Sequence, residues 1–214
     1  MSTTAPAKPT LPPYLQNNDW EEELNFKLWV TKGARFCADK RLLRLHTLSA
    51  LATSFLSAYL IIVSLMPLYV PGVSGKLPNN ALPLFTTGIS ILLLVYTLIE
   101  SSKDFKLRAH RFHECALKIG RLYNELRQLK SETDVEKKKA GLRSISDRYD
   151  EVLEDFENHE AIDYDIFQTQ KPEYFHLSSL HVWWRHIHYY AVVQFRYHLV
   201  IVVPPALVAF LALR

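Results

Sequence analysis

Residues 47–70 carry the sequence TLSALATSFLSAYLIIVSLMPLYV, which contains no charged side chain. A second uncharged run covers residues 77–99, and a short turn rich in glycine and proline, beginning at Pro71, separates the two. A helix of about 24 residues is about 36 Å long, which exceeds the ~30 Å hydrocarbon core of a bilayer. The sequence therefore predicts an antiparallel transmembrane hairpin over residues 47–99. A buried hairpin in a soluble protein is the alternative.

Basic residues flank this hairpin on both sides. Residues 26–46 hold six Lys and Arg, residues 100–121 hold six more, and the turn holds only Lys76. The positive-inside rule places both flanks in the cytoplasm, so we expect a multi-pass protein of the cell membrane with a cytoplasmic N-terminus. The net charge of +3 is too small to indicate a nucleic-acid binder. We expect no direct sequence-specific contact with nucleic acid.

The segment before the hairpin divides into a tail and a helix. Residues 1–18 are polar and rich in proline, which predicts a disordered tail. Trp20, Leu24 and Leu28 then recur at every fourth residue. This spacing predicts an amphipathic basic helix over residues 19–46.

Residues 100–165 are predicted to form a cytoplasmic helical hairpin. No Gly or Pro lies between the second span and the first of these helices, so one long helix is expected to leave the membrane. Thr133 and Glu136 form a capping-box signature for the second helix. Heptad seams run along both helices at Phe112, Ile119, Leu122, Leu126, Leu129, Leu142, Ile145 and Tyr149. The seams predict packing within the hairpin or a cytoplasmic oligomer contact.

The C-terminal part combines an aromatic cluster with a third apolar run. Residues 166–196 are interpreted as a linker whose Trp183 and Trp184 lie at the membrane interface. Residues 197–213 are apolar, although two prolines interrupt them, and we favour a third membrane segment over a tilted or re-entrant one. The predicted fold class is thus an all-α membrane protein.

Small and hydroxyl side chains form rows along the predicted spans. The rows consist of Ser49, Thr53 and Ser57; of Ala50, Ser54 and Ala58; and, in the second span, of Thr86, Ser90 and Thr97. Such rows allow close helix packing, and they also suit a weakly polar pore in an oligomer. No charged residue lies inside either span, which disfavours a proton relay or a charged filter there. Glu100, at the cytoplasmic end, is either a solvated charge or part of a ring in an oligomer.

The sequence offers no catalytic or metal-binding motif. The histidines His110, His113, His181, His186 and His188 have no diagnostic ligand spacing. A nucleophile elbow and a phosphate-binding loop are both missing from the sequence. We expect no enzymatic activity, no cofactor and no metal.

Two short motifs add to this architecture. Residues 100–116 read ESSKDFKLRAHRFHECA, and residues 157–164 read ENHEAIDY. Together with the basic helix and the two spans, they resemble the SLATT family, the SMODS- and SLOG-associating two-transmembrane effector domain, over about residues 20–165. The third apolar run departs from a two-span pattern and fits a subgroup linked to reverse transcriptases. The resemblance implies structural or oligomer-contact roles for Arg108, His113 and the Asn158-His159/Asp163 stretch.

The resemblance also implies a function. Members of this family are regarded as effectors of bacterial anti-phage systems, acting in abortive infection by oligomeric pore formation or membrane disruption. The implied partners are the lipid bilayer of the bacterial inner membrane and further copies of the chain. A nucleotide second messenger, or a reverse-transcriptase or nucleotidyltransferase component, would supply the infection signal. The alternative is a non-lytic membrane anchor that docks a soluble signalling partner through its cytoplasmic helices.

Overall fold

The computed structural model describes residues 19–69 and 81–212. The protein is 87% helical, without strands in these ranges, so the predicted all-α class is confirmed. The helices are α1 (Trp20–Tyr69), α2 (Ala81–Ser101), α3 (Phe105–Leu129), α4 (Val135–Asp155), α5 (Ala161–Thr169), α6 (Ser179–Tyr189) and α7 (Phe195–Ala212). A π-helical segment, Tyr190–Gln194, connects α6 to α7. The predicted disordered tail and most of the predicted membrane turn lie outside the described residues.

Helix α1 begins where the sequence provides a cap. Asp19 Oδ1 accepts hydrogen bonds from the backbone N–H groups of Glu21 at 2.9 Å and Glu22 at 3.2 Å. Three acidic residues in the first turn place negative charge at the positive end of the helix dipole, which stabilises the helix. The helix then continues without interruption to Tyr69, so the predicted amphipathic segment and the first predicted span belong to one helix of 50 residues.

The described helices form two compact units. The first takes its described residues from 19–38 and 111–167, and the second from 39–69, 81–110 and 168–212. In the first unit, Leu24 and Leu28 of α1 are buried in one apolar core with residues of α3 and α4. The contributors from α3 and α4 are Cys115, Ile119, Leu122, Leu126, Leu142, Ile145 and Tyr149.

This core contains most of the predicted seam positions. Phe112 is also buried, and Leu129 packs partly buried against the core. The chain's own helices therefore cover these side chains in the described conformation. A coiled-coil geometry and an oligomer contact at the seam stay predictions.

Two details of the α2–α3–α4 connections differ from expectation. Instead of one long helix, α2 ends at Ser101 and α3 begins at Phe105, and Asp104 between them has a left-handed φ of 47°. Aspartate tolerates this region better than most residues, which allows a break without Gly or Pro. At the start of α4, the cap is Asp134 rather than Thr133, because its side chain accepts from the N–H groups of Glu136 and Lys137.

Residues 158–180 contain more helix than their irregular pattern predicts. They include all of α5, a helix of nine residues that is too short to display several turns of periodicity. Helix α6 then begins at Ser179, capped by Ser178. The third apolar run is helical to Ala212 even though it contains Pro204 and Pro205.

The second unit presents apolar side chains outward. Two helical stretches, within Trp20–Met66 and Pro83–Leu129, are long and apolar enough to cross a membrane. Ile61, Leu84 and Leu92 are exposed by 60%, 76% and 68%. Water would be a poor solvent for such surfaces, whereas lipid chains suit them.

Candidate functional site

A buried carboxylate joins three helices of the second unit. Glu100, in the last turn of α2, is only 7% exposed. Its Oε2 accepts a hydrogen bond of 2.9 Å from Ser49 Oγ on α1 and another of 2.9 Å from Tyr197 Oη on α7. Lys103 forms an ion pair with the other oxygen, Oε1. Glu100 is therefore not the solvated helix-end charge that the sequence allowed; a ring of such residues in an oligomer stays a prediction.

The surroundings of Glu100 compensate its charge. A buried carboxylate is costly unless cations and hydrogen-bond donors satisfy it. Besides Lys103, Arg196 contributes indirectly, because its Nη2 donates to Tyr197 Oη at 2.9 Å and its guanidinium lies 4.7 Å from the Tyr197 ring centroid. The network from Arg196 through Tyr197 to Glu100 fixes α7 against α2.

An open cavity with both polar and apolar walls adjoins this network. It has a volume of about 640 Å³, and its walls combine hydroxyl, carboxylate and imidazole groups. The polar or titratable lining residues include Ser49, Thr53, Thr97, Glu100, Asp104, His46 and His110. The cavity thus brings together three hydroxyl residues of the predicted rows and the carboxylate at the end of α2.

The predicted rows of α1 fall on two different sides of the helix. Ser49 is buried and Thr53 is half-buried, whereas Ala50, Ser54 and Ala58 are exposed. Ser57, in the first row, is also exposed. On α2, Thr86, Ser90 and Thr97 are all half-buried and share the face of Glu100. The structure therefore separates a packed polar face from an exposed row of small residues.

Hydroxyl groups on these helices also bond to their own backbone. Thr53 Oγ1 donates to the carbonyl of Ser49 at 3.1 Å, Ser54 Oγ to that of Ala50 at 2.8 Å, and Thr97 Oγ1 to that of Leu94 at 2.7 Å. Such bonds satisfy a hydroxyl where no water is available. The same groups can therefore face lipid, another helix or a water-filled path.

A tyrosine compensates for a proline in α7. Tyr59 Oη on α1 donates to the carbonyl oxygen of Ile201 at 2.7 Å. That carbonyl would normally accept from the N–H of residue 205, but residue 205 is a proline and has none. Sequence reasoning missed this pair. The available signals were a proline inside an apolar helix and a tyrosine inside a predicted span.

A comparison with known protein families shows to which family the chain belongs. A family model described as SMODS and SLOG-associating 2TM effector domain family 5 matches residues 18–211. The chain belongs to this family. The SLATT resemblance seen in the sequence is thereby confirmed, and the match extends beyond residue 165 into the C-terminal apolar helix. No match was found among curated proteins or among solved structures.

Family membership and the two apolar helices agree in making the chain a membrane protein. The SLATT match also identifies it as a membrane effector of the kind found in defence systems. Among the residues that the structure describes, no three or more His, Cys, Asp or Glu side chains are grouped to hold a metal ion.

The first unit of this SLATT chain contains a buried arginine. Arg35 on α1 is fully buried, its Nη2 donates to Asn158 Oδ1 at 3.1 Å, and its guanidinium lies 5.4 Å from the Phe112 ring centroid. Its Nε and Nη1 have no hydrogen-bond partner among the described residues. Burial lowers the pKa of Arg35. In the sequence, Arg35 is one of six basic residues in 26–46, and nothing in the local pattern indicates its contact with Asn158.

The SLATT-like motif residues lie at different places. Asn158 contacts Arg35, and burial together with Arg35 lowers the pKa of the neighbouring His159. Asp163 is fully buried and accepts from the Glu160 N–H at 3.0 Å, which caps α5. His113 is exposed, with its ring 5.6 Å from that of Phe36. Arg108, which is half-buried, belongs to the second unit and not to this group.

Proposed function

We propose that this chain is the membrane effector of a bacterial anti-phage system and acts in abortive infection. It resides in the inner membrane with its N-terminus in the cytoplasm and permeabilises that membrane as an oligomeric pore once infection is signalled. The observation that carries the proposal is the set of polar side chains, Glu100, Thr53 and Thr97, that line one cavity between apolar helices, because a helix that serves only as an anchor needs no such polar face.

Assembly follows from the number of helices. Two or three helices from one chain are too few to enclose a water-filled path, so several copies have to contribute their polar faces. The exposed row of Ala50, Ser54 and Ala58 supports this step. Small residues spaced by four allow the backbones of two membrane helices to approach closely.

We assign control of membrane permeabilisation to the first unit. Its core contains the seam residues of α3 and α4 together with Leu24 and Leu28 of α1, the helix that continues into the first span. A signal that loosens this core would act directly on a membrane-spanning helix. The family description names association with SMODS and SLOG, which supports a nucleotide second messenger, or a nucleotidyltransferase or reverse-transcriptase component, as the source of the signal.

A non-lytic anchor is the second candidate. It is favoured by the burial of the seam, since a first unit that completes its own core is a self-contained platform for a soluble partner. An anchor and a pore differ in what they require of the exposed side of α1. Lipid accepts a larger apolar residue there, whereas a close helix contact does not.

The experiment uses the double variant Ser54→Leu/Ala58→Leu in the full chain. Both positions are exposed, so leucine does not disturb the packing of one chain. Leu92→Phe is the matched control, because Leu92 is 68% exposed and lies on α2, outside the row of α1. The proteins are expressed together with their genetic neighbours in cells challenged with phage, and a potential-sensitive dye and growth are recorded.

We expect the wild type and the control to depolarise infected cells and the double variant to lose this effect while still reaching the membrane. Normal membrane potential with the wild type would refute permeabilisation. Depolarisation by the double variant at the wild-type level would refute the oligomer contact through α1.

A further inference from the structure

Helix α6 (Ser179–Tyr189) carries an apolar face that the described chain leaves largely exposed. Leu180, Trp183, Trp184 and Ile187 are exposed by 71%, 58%, 64% and 38%. Their spacing of three, four and seven residues places all four on one side of the helix. Val182, Arg185 and Tyr189 on the opposite side are only half-exposed. The helix therefore packs on the protein with one face and presents two tryptophans with the other.

Histidines flank the apolar face. By helix geometry, His181 and His188 lie along one margin of the face and His186 along the other, and all three are exposed. Acidic residues are few in this region: residues 174–214 contain no Asp or Glu but three Arg and five His, and one acidic residue, Glu173, lines a groove together with Trp183 and His186. The surface around the apolar face is accordingly neutral to positive and suits an anionic partner.

The face is also continuous with the membrane-embedded part of the chain. After α6, the π-helical segment Tyr190–Gln194 leads directly into the apolar helix α7. Tyr190 adds a further exposed aromatic side chain, 43% exposed, at this junction. Tryptophan and tyrosine concentrate at the level of lipid headgroups, where one side of the ring is apolar and the other is hydrated.

We infer that α6 lies in the membrane surface and binds anionic phospholipid headgroups. The face of Leu180, Trp183, Trp184 and Ile187 enters the boundary of the acyl chains, and His181, His186 and His188 meet the phosphates. A soluble protein would also find an anchor in two exposed tryptophans. The excess of Arg and His over acidic residues and the continuity with α7 favour lipid. The inference depends on membrane residence and not on pore formation.

Tryptophan fluorescence tests this placement in the full chain. The protein has four tryptophans, so Trp20→Phe/Trp29→Phe leaves only Trp183 and Trp184 as reporters. This variant is reconstituted in phosphatidylcholine vesicles, with or without phosphatidylglycerol, and with or without phosphatidylcholine brominated along its acyl chains. Strong quenching by the brominated lipid, with protection from aqueous acrylamide, is the expected result. Quenching by acrylamide and not by the brominated lipid would overturn the inference and leave a protein partner as the occupant.

The headgroup preference is tested separately. Phosphatidylglycerol should increase the quenching by brominated lipid roughly two-fold or more at low salt, and high salt should remove the increase because it screens the attraction. In the same reporter background, His181→Gln/His186→Gln/His188→Gln should abolish the increase, whereas His113→Gln, at an exposed histidine of the first unit, should keep it. An increase that survives the triple substitution would refute phosphate recognition by these histidines.

Discussion

Gly33 offers the sharpest test of how the first unit is packed. A Cβ atom at this position of α1 would lie 2.6 Å from Cζ of Phe167 on α5, and closer still to Cε2 and Cδ2. Unstrained carbon contacts are about 3.5–4.0 Å. Phe167 has little freedom to yield, since it is 5% exposed and packs edge-on against Trp29 with 5.1 Å between the ring centroids.

The expected magnitude follows from two opposing effects of Gly33→Ala. Overpacking costs about 1–3 kcal/mol, and alanine recovers about 0.8–1 kcal/mol as the better helix former. Contacts this short put the overpacking cost in the upper part of that range, about 2–3 kcal/mol, so the free energy of unfolding should fall by about 1–2 kcal/mol. Phe167→Ala alone should cost about 3–5 kcal/mol. In that background the clash is absent, so Gly33→Ala should then stabilise the protein by about 1 kcal/mol.

The measurement is a double-mutant cycle in the full chain. Thermal or denaturant unfolding in detergent micelles is followed through tryptophan fluorescence in a Trp20→Phe/Trp183→Phe/Trp184→Phe background, which leaves Trp29, in contact with Phe167, as the reporter. Gly88→Ala on α2 is the control, because no described atom would lie within 4 Å of its Cβ. The cycle should give a coupling of about 2–3 kcal/mol. A coupling near zero, with Gly33→Ala stabilising both backgrounds alike, would refute the close contact between α1 and α5.

Three further predictions concern single side chains. Burial and Arg35 lower the pKa of His159 below its ordinary 6.5. Below pH 6.5 the unfolded chain therefore binds a proton at His159 that the folded chain does not bind, and the free energy of unfolding should fall as the pH drops. Unfolding curves of His159→Gln should show less of this decline. Asp134→Ala removes the cap of α4 and should cost about 1 kcal/mol, visible as faster hydrogen exchange in its first turn. Tyr59→Phe leaves the Ile201 carbonyl without its donor and should lower the unfolding free energy in detergent by about 1–3 kcal/mol.

The sequence predicted those parts of the fold that depend on local pattern. Helix α1 begins at Trp20, directly after Asp19, and the two charge-free runs lie in long apolar helices. These features depend on capping and on uninterrupted hydropathy, which a single sequence displays. Helix α5 escaped prediction because its nine residues show too few turns for a period to emerge.

The contacts of the candidate site were harder to predict because they join distant segments. Glu100 meets Ser49 and Tyr197 across separations of 51 and 97 residues, and Arg35 meets Asn158 across 123. From the sequence, Glu100 was interpreted as a charge at the end of a membrane helix because it follows the second apolar run. Arg35 was interpreted as a basic flanking residue because it lies among the six Lys and Arg of residues 26–46. Only the packing of the helices decides which charges become buried.

The core of the first unit combines residues that are translated before and after the two predicted spans. Leu24 and Leu28 are translated early, but Tyr149, which completes their core, follows about 120 residues later, after the whole membrane hairpin. At ~5–20 residues per second, the roughly 50 residues from the end of the second predicted span to Tyr149 take about 2.5–10 s, during which both spans are made and this core is still incomplete. A premature stop codon between residues 100 and 115 would make that state permanent, because the truncated product would keep both apolar helices and lack the α3 and α4 residues of this core.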